Sequence, residues 1–350
     1  MNRSYNLTAD KNKKIIRRIT ALWAFSEAAL GGILHALKIP FTGLLIGGSA
    51  TIFISLIAYF SESRNEIIKA TLKVMLVKFV ASPYSPLNAY FAVMLQSILG
   101  YILFWKGFNK ISPVILGVVS LLLSSVQKIF ILTLIFGVTL WESINIFFDF
   151  VIKKVFNLSG NSLGIEMSYI LIGAYILLHI AGGFLAGIFA IKIPGKIEKQ
   201  STNKLKNSAF NIAVTNELIG KKKKRKKWWL RPSSILLFVF SILLLVLSFN
   251  YEELGSGLAK KIVIMWIRSF LIIVVWFYFI SPILIKIVRN YLAKKQKSHS
   301  EEIDSIINIF PNVRAVIKVS WNECSDKKGL GKIFKLIELV LINFILLDIQ

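Results

Sequence analysis

Cysteine is all but missing from this 350-residue chain, where Cys324 stands alone. A single cysteine allows neither an intrachain disulfide nor a cysteine-based zinc cluster. Histidine is nearly as scarce: there are three, and His299 lies in a basic stretch toward the C-terminal end. An all-histidine metal site is therefore not expected, and neither is a resident cofactor. The chain has no G-x-x-x-x-G-K-[ST] phosphate loop and no H-E-x-x-H string, which excludes ATP hydrolysis by that loop and zinc-peptidase chemistry by that motif. Acidic side chains number 18 against 43 Lys and Arg, a formal charge of +25. In a soluble domain that excess would point to nucleic acid, but here the basic residues cluster at the ends of apolar runs. No nucleic-acid partner is expected, and the charge is read first as topology.

Hydrophobic residues make up 55% of the chain. Several runs approach the roughly 20 residues that cross a bilayer, and the fold class expected is an all-α integral membrane protein. Apolar runs and their charged ends predict helices near 16–38, 41–60, 67–82, 87–105, 113–140 and 167–191, a six-helix N-terminal bundle. Two further membrane helices are predicted near 233–249 and 260–285, with a shorter apolar stretch at 333–348 in an amphipathic cytoplasmic tail. The implied domains are a membrane substrate-binding domain at 1–195, a basic linker at 196–232 and a two-span segment with its tail at 233–350. The segment before Ile19 is polar, so no secretory leader is expected.

The third helix, "IIKATLKVMLVKFVA", is short and carries Lys69, Lys73 and Lys78. Parity supports it: omitting it would place the lysine block "KKKKRKK" of the linker outside, against the positive-inside rule. With all spans counted, both termini face the cytoplasm, and the chain is expected as a multi-pass protein of the cell (inner) membrane. The linker's basic residues would attract anionic membrane lipids. Between Trp141 and Leu158, Glu142, Asn145, Asp149 and Lys153 recur at helical spacing against an apolar face. That pattern suits a helix lying in the outer interface; the competing reading extends the fifth span.

Small residues recur at four-residue spacing, Ala24 and Ala28 on the first helix, Gly43 and Gly47 on the second, Gly183 and Gly187 on the sixth. In lipid, such positions let helix backbones approach closely. Ala24 and Ala28, in the cytoplasmic half of their helix, are the candidate partner-docking positions. Polar residues gather in the opposite, outer layer. His35 lies just before the turn enforced at Pro40. Tyr84, Asn88 and Gln96 descend from the outer end of the fourth helix, Gln127 and Lys128 lie in the outer half of the fifth, and Tyr175 and His179 descend the sixth. Polar and ionisable groups inside a membrane are costly and mark cavities or pathways, so these eight are the candidate substrate-binding residues. Glu27 is a candidate ion-pair partner for Lys128, while Lys69 and Lys78 are expected to snorkel to opposite surfaces.

The six-helix unit, its Ala24/Ala28 step, the segment "SPYSPLNAYFAVMLQSILGYILF" and the glycine-rich sixth helix together resemble the substrate-binding (S) component of energy-coupling factor transporters, over about residues 15–192. The resemblance implies capture of a vitamin-like micronutrient from the outer side, with Ala24 and Ala28 docking a transmembrane coupling (T) component and separate ATPase subunits supplying energy. The second part, with "IFPNVRAVIKVSW", resembles a shortened T component, although "SDKKG" stands where that family has an Ala-Arg-Gly-like motif. The chain itself is then no enzyme. Two other readings compete: an integral-membrane enzyme acting on a lipid or isoprenoid, with Lys128, His35, His179 and Glu27 as its polar centre, and a basic scaffold at anionic membrane.

Overall fold

The computed structural model describes residues 9–31, 41–82, 85, 87–155, 166–201, 255–326 and 328–347. Among these, every regular element is helical. In chain order they are α1 (Ala9–Phe25) running into a π-helical turn (Ser26–Leu30), α2 (Thr42–Phe60), α3 (Asn65–Ala81), α4 (Leu87–Leu103), α5 (Ser112–Phe136) and α6 (Thr139–Phe150) with a π turn at Val151–Val155. They continue with α7 (Met167–Ser201), α8 (Gly255–Val275) with a π turn at Trp276–Ile280, α9 (Ser281–Ser298), α10 (Ser300–Ile307), α11 (Phe310–Glu323) and α12 (Gly329–Leu346). Among the described residues, four helical runs are long and apolar enough to cross a membrane: Thr42–Phe60, Ser112–Phe136, Met167–Ser201 and Ala259–Ser298. Leu87–Leu103 is apolar but shorter, and α1 and α3, both among the six expected spans, are not among the four. The span expected at 233–249 and the turn at Pro40 lie outside the described residues.

Several boundaries differ from the sequence reading, and two of them have local causes. The fifth helix stops at Phe136, because Gly137 takes φ +78°, a conformation that side chains resist. The next helix, α6, is thus a separate element and not an extension of that span. The sixth helix runs ten residues past its expected end, through Pro194 to Ser201, although proline removes one backbone donor there.

The described residues fall into two compact units, one drawn from 1–121, 181–225 and 290–350, the other from 122–180 and 226–289. In the first, α1 is the central element. Ile19, Thr20, Ala21, Leu22, Trp23 and Ala24 are all buried in succession, and a helix buried at consecutive positions is enclosed on every side. Its neighbours are α2 and α3 on one hand and α10, α11 and α12 on the other. The Phe25 and Phe310 rings meet edge to face at 5.2 Å, and Arg18 Nη1 donates to the Ile345 carbonyl at 2.6 Å. Where α5 passes α7, Gly117 and Gly183 touch backbone to backbone, and a Cβ on Gly187 would stand 2.5 Å from the Val114 Cα. Glycine is required at this crossing because the chains leave no room for a side chain. Gly183 and Gly187 carry the spacing read from the sequence; their counterpart Gly117 has no such pattern around it.

In the second unit, α6 packs on α8. Lys261 pairs with Glu142 at 2.6 Å, and the Asn145 side chain accepts from the Ser168 backbone N–H at 2.8 Å while donating to Glu166. Polar positions of the α6 pattern thus fasten the start of α7.

Candidate functional site

One buried charge pair stands out in the first unit. Lys78 Nζ lies 2.7 Å from Glu27 Oε2, with the two side chains 4% and 1% exposed. Glu27 sits in the π turn that closes α1, and such turns are frequent at functional sites because they re-aim side chains. Lys78 comes from the last turn of α3, and its ammonium is 5.7 Å from the centre of the Tyr90 ring on α4, within cation–π range. The arrangement corrects two expectations. Lys78 does not snorkel outward, and Glu27, weighed as a partner for Lys128, is engaged by Lys78.

Polar bonds brace the surrounding helices. Ser26 and Ser49 hydroxyls are 3.1 Å apart, tying the π turn to α2. Thr71 and Ser97 hydroxyls are 2.5 Å apart, tying α3 to α4. Gln96 is buried, its side-chain amide against Gly47. The Trp23 indole N–H stands one helical turn before the Glu27 carboxylate and interacts with it, though no hydrogen bond of ordinary geometry reaches Glu27 Oε1 or Trp23 Nε1. A neutralised pair can hold a polar ligand group without carrying net charge into an apolar surround.

The candidate residues from the sequence are divided between the two units. Gln96 is buried in the first unit, and Asn88, on α4 of that unit, is exposed. Gln127 is half-buried and Lys128 exposed, both on the part of α5 that belongs to the second unit. Tyr175 and His179 come together there, with ring centres 4.3 Å apart. His179 is fully buried, its Nδ1 2.9 Å from the Tyr175 carbonyl. Ala24 and Ala28 are 0% and 7% exposed, inside the chain's own packing. His35 and Tyr84 lie outside the described residues, as does Gly160-Asn161-Ser162-Leu163-Gly164, a G-x-S-x-G string. The strand that leads into a nucleophile elbow of that form has no counterpart among the described residues. Nor do three or more His, Cys, Asp or Glu side chains gather there in a metal-holding cluster.

Sequence reading missed Lys78, Tyr90 and Trp23 as site residues. A signal for the pair existed in part: Glu27 is the single acidic residue between Asp10 and Glu62, so a partner cation was required. Which of three lysines on α3 would supply it depends on the rotation of that helix, which periodicity alone does not fix.

Comparison with family models, with curated proteins and with solved structures finds no match to the chain.

Proposed function

We propose that the chain is a multi-pass transport subunit of the inner membrane that captures a small, vitamin-like solute from the outer side and passes it inward with separate ATPase subunits. The resemblance to energy-coupling factor S components supplies the reaction class; the observation that carries the reading is the double use of α1. Its end bears Glu27, sealed against Lys78 among α1, α3 and α4, and ionisable groups enclosed between membrane helices usually serve a solute or ion pathway. Its body is enclosed by the chain's own C-terminal helices, with Phe25 on Phe310 and Arg18 on the Ile345 carbonyl. The Ala24 and Ala28 side chains are buried within the chain's own packing and so not open to a separate coupling subunit, while the C-terminal helices reach α1 through Phe25 and Arg18, which accords with a fused, shortened T component. Glu27, Lys78, Trp23, Tyr90 and Gln96 form the capture site in this reading, and movement of α10–α12 on α1 is the route by which nucleotide-driven work reaches it. The run Ala259–Ser298 supports the membrane setting, since only 6% of its apolar window is covered by protein.

The test is copurification. The tagged full chain, extracted from its native membranes in mild detergent, should bring down ATPase subunits in stoichiometric amount. Extraction without them, at chain yields high enough to see them, contradicts ATP-driven transport.

A further inference from the structure

Away from the Glu27–Lys78 pair, the first unit carries a polar, partly open cleft of about 670 Å3. That lies within the 300–1,000 Å3 range of small-molecule pockets. Its walls come from the polar start of α1, the α2–α3 turn, the first half of α3, and α10. Apolar side chains floor it, Phe60, Ala70 and Ile306 all being buried. Charge on the lining is balanced: Lys13, Arg17, Lys69 and Lys73 face Glu62, Glu66, Glu301 and Glu302. Half of these are already committed, Lys69 to Glu66 at 2.8 Å and Lys73 to Glu302 at 3.2 Å. Lys13 and Arg17 on α1, and Glu62 and Glu301 on the other walls, make no hydrogen bond or ion pair among the described residues. One further group has no structural use. Asn12 lines the cavity at 7% exposure, and its side-chain oxygen is buried without a hydrogen-bond partner. Stranding such a group destabilises the fold, and a ligand bond would offset that cost.

We propose that this cavity binds a small zwitterion carrying an ammonium and an acidic group at opposite ends. An anion alone would meet as many uncommitted carboxylates as cations, and a cation alone would meet the reverse; a molecule with both signs satisfies both sets. The acidic end goes to Arg17 and Lys13, and the ammonium to Glu62 and Glu301, with one of its N–H groups donating to the Asn12 side-chain oxygen. The cube root of the volume is about 9 Å, so charges several methylenes apart fit better than those of an α-amino acid. Because the walls include both the N-terminal helix and α10, an occupant would clamp the C-terminal segment to the α2–α3 turn and stabilise the folded chain as its concentration rises above Kd.

Calorimetric titration and thermal unfolding of the full chain in detergent test this with glycine, 4-aminobutyrate and 6-aminohexanoate. Inorganic phosphate and 1,6-diaminohexane serve as single-sign controls. Affinity should rise along the zwitterion series and exceed both controls by tenfold or more, with a matching rise in melting temperature. Arg17→Gln and Glu62→Gln should each weaken 6-aminohexanoate tenfold or more. Asn12→Leu should weaken it while leaving the melting temperature of the ligand-free chain unchanged or higher, a result no merely structural asparagine would give. Phosphate or the diamine binding as well as the zwitterions, or no binding of any titrant at 10 mM, overturns the proposal.

Discussion

Removing one member of the Glu27–Lys78 pair strands the other inside the helices, and the cost can be bounded from the two side chains themselves. With Lys78→Met, the Glu27 carboxylate keeps no cation, and at 1% exposure it has no water to turn to. Such single removals typically cost about 3–5 kcal/mol. Glu27→Gln, which leaves the Lys78 ammonium buried without its carboxylate at 4% exposure, should cost a similar amount. The apolar double variant Glu27→Leu/Lys78→Met should be close to wild-type stability or above it, since buried pairs replaced by hydrophobic residues are often neutral to stabilising by about 1–4 kcal/mol. Reversible unfolding by added SDS in mixed micelles, followed by tryptophan emission at pH 7, reads all four chains. Single-variant deficits below about 1 kcal/mol, or a double variant less stable than either single one, would show that water reaches the pair and that the reasoning from burial is mistaken.

At the α5–α7 crossing, Gly117→Ala drives a methyl into the Gly183 backbone and should destabilise by about 1–3 kcal/mol; Gly173→Ala, which meets nothing within 4 Å, should be neutral or stabilising by up to about 1 kcal/mol in the same unfolding assay. Phe25→Ala, which removes the ring contact with Phe310, should loosen the C-terminal helices on α1, seen as faster protease cleavage between α9 and α11; unchanged cleavage argues against docking in cis. A cysteine placed at Lys153 should react with an impermeant thiol reagent applied from outside, and one at Lys199 should not, with the reverse pattern overturning the proposed orientation. Partial burial alone would raise the Glu338 carboxyl, but hydrogen bonds from Lys196 at 2.6 Å and Lys335 at 3.0 Å hold it below its usual 4.5. Its contribution is then present above pH 4.5 and lost as pH falls through the lower folded value, so wild type should lose more stability than Glu338→Gln between pH 6 and pH 3. At pH 6 the two should differ by less than about 1 kcal/mol, as befits a partly exposed pair.

Helix identity was legible because long apolar runs with charged ends leave little else to form, and α2, α4, α5 and α7 start within a residue or so of where those runs begin. The ends were less legible. Gly137 stops α5 through its own backbone conformation, and Pro194 fails to stop α7, although proline is a usual terminator. For the site, position along each helix was readable and rotation about its axis was not. Gln96 and His179 are buried, while Lys128 and Asn88 present exposed side chains. Lys78 shows the same limit from the other side: its place three residues before the end of α3 suggested escape to the surface, yet the helix turns it inward to Glu27. The packing of the C-terminal helices on α1 had no local signature, since it depends on contacts more than 280 residues apart in sequence.

Native mass spectrometry of the full chain, released from mild detergent after purification from its own membranes, tests solute capture at the Glu27–Lys78 site most directly. Wild type should carry one small non-lipid molecule of defined mass per chain, and the Glu27→Leu/Lys78→Met variant, equally folded by its melting temperature, should carry none. The same adduct at the same occupancy on both chains, or lipid alone on wild type, would contradict capture at this site.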